Sequence, residues 1–109
     1  MNYKVKTIQA FEKGAGRLVK KYPSLKNELI QLVETLKVNP VQGTSLGNNC
    51  YKIRLSIASK GKGKSGGARI ITNIVVSQTT VYLLSIYDKS EQASLNNDEL
   101  KALLKQVPS

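Results

Sequence analysis

The sequence predicts an α+β fold in the order β-α-α-β-β-β-α, with a mainly antiparallel sheet and an αα-hairpin on one face. Three observations predict it. Residues 9–38 place apolar side chains at helical spacing, interrupted at Pro23 and ended by Asn39-Pro40. Residues 51–87 change to runs rich in Ile, Val and Tyr, with an alternating pattern in the first of them. Those runs also follow one another too closely for helical crossovers, so they turn back on themselves as an antiparallel meander. A chain of 109 residues holds one core, and residues 1–109 are expected to form one domain.

Each element has its own justification. Residues 3–7 alternate and contain β-branched side chains, which predicts a short first strand. Ile8, Phe11, Ala15, Leu18, Val19 and Tyr22 keep helical spacing, although Gly14 and Gly16 each weaken a helix by about 1 kcal/mol relative to alanine. Ser24 is placed to cap a second helix that carries Leu25, Leu29, Leu32, Val33 and Leu36 on one face. Tyr51, Ile53, Leu55 and Ile57 alternate with Lys52, Arg54, Ser56 and Ala58, the pattern of a half-buried strand. A glycine-lysine loop, residues 60–67, leads into a second strand over 68–76. Gln78 and its neighbours turn the chain, and residues 80–87 form the next strand. Asn96, with Glu99 three residues later and Leu95 and Leu100 at the staple positions, opens a last helix over 95–106.

The charge is segregated. Lys and Arg number 17 against 7 Asp and Glu, a net +10. No acid lies between Glu34 and Asp88, a stretch that holds Lys37, Lys52, Arg54, Lys60, Lys62, Lys64 and Arg69. Polyanion binding explains that distribution better than a merely solvated surface does. Other chemistries drop out. The absence of histidine removes Ser-His-Asp and Cys-His nucleophile pairs and His-ligated zinc. Cys50 is the single cysteine, which excludes an intrachain disulfide and makes the cytoplasm the default compartment. No apolar run approaches the ~20 residues of a membrane span, so no membrane partner is expected. The acid-free middle lacks the carboxylate sets of a glycosidase or a Mg²⁺ nuclease, so no cofactor is expected.

Gly61-Lys62-Gly63-Lys64-Ser65-Gly66 matches the G-x-G-x-x-G spacing, but a β-branched strand follows where a dinucleotide site needs a helix. The loop is either a flexible basic hairpin or a phosphate-tracking segment in which Lys60, Lys62 and Lys64 supply charge. If the Tyr51–Ile57 row packs under the helices, Lys52 and Arg54 point to the open face of the sheet. Alternation then brings Arg69 and Tyr87 to the same face, with Lys89 just beyond. The same alternation sets Tyr82, Leu84 and Ile86 on one side of their strand and Val81, Leu83, Ser85 and Tyr87 on the other.

Three segments together, Tyr51-Lys52-Ile53-Arg54, the run from Lys60-Gly61 through Ala68-Arg69-Ile70-Ile71, and Tyr82-Leu83-Leu84-Ser85-Ile86-Tyr87-Asp88-Lys89-Ser90-Glu91, resemble the RelE/ParE toxin superfamily, and most closely its HigB-like branch. The resemblance covers the whole length and implies a RelE-like fold. It implies the toxin of a type II toxin–antitoxin pair, an endoribonuclease that cuts mRNA in the ribosomal A site, with a cognate antitoxin as protein partner. Lys52, Arg54, Arg69 and Tyr87 would be catalytic, and Lys60, Lys62, Lys64 and Lys89 would bind RNA. Asn73 stands where the family often has an aromatic after the Ile-Ile-Thr run. Two alternatives stay open: a non-catalytic DNA gyrase poison of the ParE type, and a degenerate toxin that only binds antitoxin. Without histidine, the base of a ribonuclease would be a lysine or tyrosine, with ordinary pKa values near 10.4 and 10 that neighbouring cations lower.

Overall fold

Helix-spaced and alternating apolar residues sort here into two layers. A computed structural model of the protein describes residues 2–61, 66–92 and 94–108. The elements are β1 (Lys4–Thr7), α1 (Gln9–Lys21), α2 (Leu25–Val38), β2 (Thr44–Gly47), β3 (Cys50–Leu55), β4 (Ala68–Val75), β5 (Thr80–Asp88) and α3 (Asn97–Leu104). The strands form one sheet in the order β1-β5-β4-β3-β2. All neighbours are antiparallel except β1 and β5, which run parallel. Among the described residues, no helix is long and apolar enough to cross a membrane.

The core lies between the sheet and the αα-hairpin. Leu18, Leu25 and Leu36 from the helices are fully buried, as are Ile70 and Val81 from the sheet. Gly14 allows α1 to sit close on β5, since a Cβ there would meet the Ile86 carbonyl oxygen at 3.1 Å. The expected alternation holds on β3 and β4. On β5 it breaks at a β-bulge: Ile71 pairs with Ser85 but Thr72 pairs with Leu83, leaving Leu84 as the extra residue. Tyr82 therefore shares a face with Ser85 and Tyr87 rather than with Ile86, and Val81 and Leu83 turn to the helix side. The strict alternation expected for this strand is corrected on that point.

β2 is an addition to the expected order. Its four residues are all exposed and carry no apolar alternation, so hydrophobic pattern does not reveal it. It forms a hairpin with β3 through Asn48 and Asn49, both at positive φ (54° and 58°), a conformation asparagine tolerates in tight hairpins. The Asn-Asn pair was the available signal. Asn73 holds this hairpin from the sheet: its Nδ2 donates to the Asn48 carbonyl at 3.0 Å. Ahead of β2, Gly43 has φ +86° and presses on β3, where a Cβ would fall 2.1 Å from the Lys52 carbonyl oxygen.

Ser24 stands at the start of α2 but makes no capping bond. Its hydroxyl instead accepts the Ser59 N–H at 2.9 Å, and Glu28 accepts the Ala58 N–H at 2.8 Å. These residues pin the short 3₁₀ turn Ala58–Lys60 that leads into the glycine-lysine loop. The cap expected on α3 is present in full: Asn96 Oδ1 accepts from the Glu99 N–H at 2.8 Å, and Glu99 accepts from the Asn96 N–H at 3.3 Å.

Candidate active site

Sheet register decides which side chains meet. Arg54 lies directly opposite Arg69, and Arg69 directly opposite Tyr87, so the three form one row across β3, β4 and β5. The next row on the same face is Thr44, Lys52, Ile71 and Ser85. The sheet thus brings together Lys52, Arg54, Arg69 and Tyr87 on the face away from the αα-hairpin. Directly opposed residues on neighbouring strands have Cβ atoms roughly 5 Å apart, and like charges so placed repel. Two guanidinium groups so placed are suited to an anion that bridges them.

Burial grades the row. Arg54 is exposed, whereas Arg69 and Tyr87 are each only 4% exposed. One guanidinium nitrogen of Arg69 donates to the Ala68 carbonyl at 3.1 Å, which helps to orient it. The Tyr87 hydroxyl is buried and has no hydrogen-bond partner among the described residues. Burial pushes its phenol above the ordinary tyrosine value, Arg69 pulls it down, and Glu99 of α3 raises it. Arg69 does lower the phenol, as expected of a neighbouring cation, but burial outweighs it and the net shift is upward. A hollow of about 340 Å³ beside it is lined by Arg17, Ser85, Tyr87, Leu95, Glu99 and Leu103, among others.

An orphaned buried hydroxyl costs stability, about 1–3 kcal/mol for an unsatisfied group. Tyr87→Phe is therefore expected to fold at least as stably as the wild type. Urea unfolding checks it, and a less stable variant would show that the hydroxyl is bonded in solution.

The face that carries the row is not the open one expected: Arg69, Ile71, Asn73, Tyr82 and Tyr87 on it are all buried. The lysines separate. Lys60 lies off that face, in a buried cluster: its ammonium pairs with Asp88, donates to Ser90 Oγ at 2.9 Å and sits 5.5 Å from the centre of the Tyr22 ring. Asp88 also accepts from Tyr22 Oη at 2.8 Å and from Ser90 N at 2.9 Å. Burial alone would raise the Asp88 carboxyl, but the bonds from Lys60, Ser90 and Tyr22 outweigh it and hold the group well below the ordinary carboxylate range. Lys60 thus anchors the near end of the glycine-lysine loop, and the Lys89 N–H, donating to the Gly67 carbonyl at 3.0 Å, closes the far end. Lys89 itself is half-buried just past Tyr87. Lys62 and Lys64 lie outside the described residues. Sequence reasoning missed Asp88 as the partner of Lys60 and Glu99 as the acid facing Tyr87. Nothing local in the sequence signals either, since each pairing crosses elements.

A row of two arginines and a protonated tyrosine, with a lysine one row away, is equipped to bind a phosphodiester and donate a proton. Among the described residues no three His, Cys, Asp or Glu side chains gather where they could hold a metal ion.

Comparison with known proteins bears on the family and the fold. Residues 4–107 match the family described as the RelE toxin of the RelE / RelB toxin–antitoxin system. The fold resembles a double-arginine mutant of the E. coli toxin RelE in the free state, with TM-score 0.57 and 17% identity over 99% of this chain and 100% of that one. It resembles the intact E. coli RelBE toxin–antitoxin complex with TM-score 0.51 and 19% identity, over 79% of this chain and 95% of that one. A RelE mutant bound to an antitoxin RelBc peptide aligns with TM-score 0.52 and 17% identity, over 99% and 100% of the two chains.

Proposed function

The chain belongs to the RelE toxin family of toxin–antitoxin systems, and from that premise we propose that it is a ribosome-dependent endoribonuclease that cleaves mRNA without a metal ion. The observation that carries the reading is the Arg54–Arg69–Tyr87 row with Lys52 beside it. In the proposed reaction the ribose 2′-hydroxyl attacks the adjacent phosphorus and the P–O5′ bond breaks. The products are a 2′,3′-cyclic phosphate and a 5′-hydroxyl. Arg54 and Arg69 stabilise the extra negative charge on the non-bridging oxygens. Tyr87, protonated, supplies a proton to the departing 5′-oxygen. Lys52 is then the base that takes the proton of the 2′-hydroxyl. With a lysine where a ribonuclease often uses a histidine, the reaction leans on substrate positioning. A ribosome that fixes mRNA in its A site supplies positioning worth an effective molarity on the order of 10⁵ M.

The remaining assignments extend the same reading. Lys62, Lys64 and Lys89 track RNA phosphates, while Lys60 serves by holding the loop. The protein partner is a cognate antitoxin, by analogy with the E. coli RelBE complex. The test is primer-extension mapping of mRNA ends on programmed ribosomes, with EDTA added, polyamines maintaining the ribosomes and sedimentation checking their integrity. Cleavage is expected to continue. Its loss on intact ribosomes would overturn the metal-free mechanism, and its absence in every condition would favour a toxin that acts on another target.

A further inference from the structure

Charged residues make up 22% of the chain, yet none lies between Lys37 and Lys52. Burial does not explain the gap, because residues 38–49 are all exposed or half-buried. The other long uncharged run, 70–87, fills β4 and β5 and is mostly buried. The same exposed segment collects apolar side chains. Among the described residues the exposed large apolar side chains are Ile30, Val38, Val41, Leu46 and Val76. Three of these lie within 38–49. Val76 opens the turn between β4 and β5, beside the β2–β3 hairpin, where the Ile74 N–H donates to the Asn49 carbonyl at 2.9 Å. The charges that border this surface in the fold include Lys4 and Lys37, and Lys37 pairs with Glu34 at 2.7 Å.

The segment is also held in place. Gln42 Nε2 donates to the Asn39 carbonyl at 2.8 Å and to Thr35 Oγ1 at 3.1 Å, and Asn73 fixes the hairpin turn. A partner therefore meets a formed surface and has little chain to order. β2 is the edge of the sheet on this side, and its four residues include no lysine, proline or other guard of an open edge. Its limits are its length and the bulge that leaves Leu46 as the extra residue between Ser45 and Gly47.

We propose that this uncharged surface docks a second copy of the chain about a two-fold axis, with Val38, Val41, Leu46 and Val76 of each copy covered by the other. Charge selects the occupant. Two copies that each carry +10 repel wherever their cations meet, and 38–49 is an exposed stretch that brings none. A strongly acidic partner would be drawn to the cations instead. An edge strand laid antiparallel on its own copy is self-complementary, and two-fold pairing closes the assembly at two chains. Twelve residues and one turn make less than the roughly 20–30 residues a side of a standard interface, so the dimer is weak, with Kd on the order of 10 µM.

Sedimentation equilibrium of the full-length, RNA-free protein tests this, from about 1 to 200 µM at about 0.1 and 0.5 M NaCl. The expected result is a monomer–dimer equilibrium that tightens several-fold at the higher salt, because screening weakens the repulsion and leaves the apolar contact. Combined Val41→Lys and Leu46→Lys substitution is expected to raise the dissociation constant at least ~30-fold, since the two-fold axis sets the added charges against their copies. Ile30→Lys, at an exposed apolar position of α2 outside the surface, is expected to change it no more than ~3-fold. Circular dichroism melting checks that each variant folds, and Val76→Lys, on a different element, repeats the test if the double variant does not. A wild type that stays monomeric at both salts would overturn self-docking here. So would a dimer that weakens as salt rises, or one that Ile30→Lys breaks and the lysines at 41 and 46 leave intact.

Discussion

Replacing Arg69 with lysine is expected to leave ribosome association nearly intact and to lower mRNA cleavage by about 2–4 kcal/mol of transition-state stabilisation, roughly 30- to 1,000-fold in rate. Arg69 stands at the centre of the row, opposite Arg54 on one side and Tyr87 on the other. Its planar guanidinium can give two parallel hydrogen bonds to a phosphate, which an ammonium cannot. The charge stays, so the long-range attraction to RNA stays. What goes is the fork aimed at oxygens whose charge grows as the bond forms. Arg69 is also only 4% exposed, in surroundings where such a bond is stronger than in water. Primer extension and co-sedimentation on Arg69→Lys separate the outcomes. Undiminished cleavage would remove Arg69 from the reaction, and a parallel loss of sedimentation and cleavage would make it a binding residue only.

The second large effect concerns the fold. Lys60→Met is expected to destabilise the protein by about 3–5 kcal/mol, because it leaves the Asp88 carboxylate buried without its cation. The pH dependence carries the signature. In the wild type the Asp88 carboxyl is held below its unfolded value, near 3.9. Its contribution is therefore fully present above pH 4 and is lost as pH falls toward the folded value. The variant lacks that contribution, so the gap between the two proteins should narrow as pH drops below about 4. Adding Asp88→Asn to Lys60→Met should recover much of the loss, since no charge is then left unpaired. Urea denaturation at pH 7 and pH 3.5 checks both. A loss under 1 kcal/mol that does not change with pH would reduce the pair to an ordinary surface contact.

The candidate site was legible in the sequence because its residues lie on strands with clear faces. Lys52 and Arg54 alternate with Tyr51, Ile53 and Leu55, and Arg69 opens a strand whose Ile70, Thr72 and Ile74 turn inward as expected. Tyr87 reached the right face by a less secure route. The bulge at Leu84 reverses the alternation upstream of Ser85, and it leaves no trace in the sequence because Leu83 and Leu84 are both apolar and both buried. β2 escaped notice because an exposed edge strand needs no apolar pattern. The role of Lys60 was hidden for another reason. Its partner Asp88 is brought in by β5 and its ring neighbour Tyr22 by α1, so only the folded chain places the three together. The upward shift of the Tyr87 phenol likewise comes from burial, which composition does not convey.

The parallel pairing of β1 with β5 ties Lys4 to Thr80, across most of the chain. The floor under α1 is also supplied by β5. During synthesis from the N-terminus, the αα-hairpin therefore emerges with Phe11, Leu18, Leu25 and Leu36 uncovered, and it stays so until β5 follows. Contacts so distant in sequence make folding slow and all-or-none. A nonsense or frameshift lesion before residue 80 would then yield an unfolded chain for proteolysis rather than a weakened toxin.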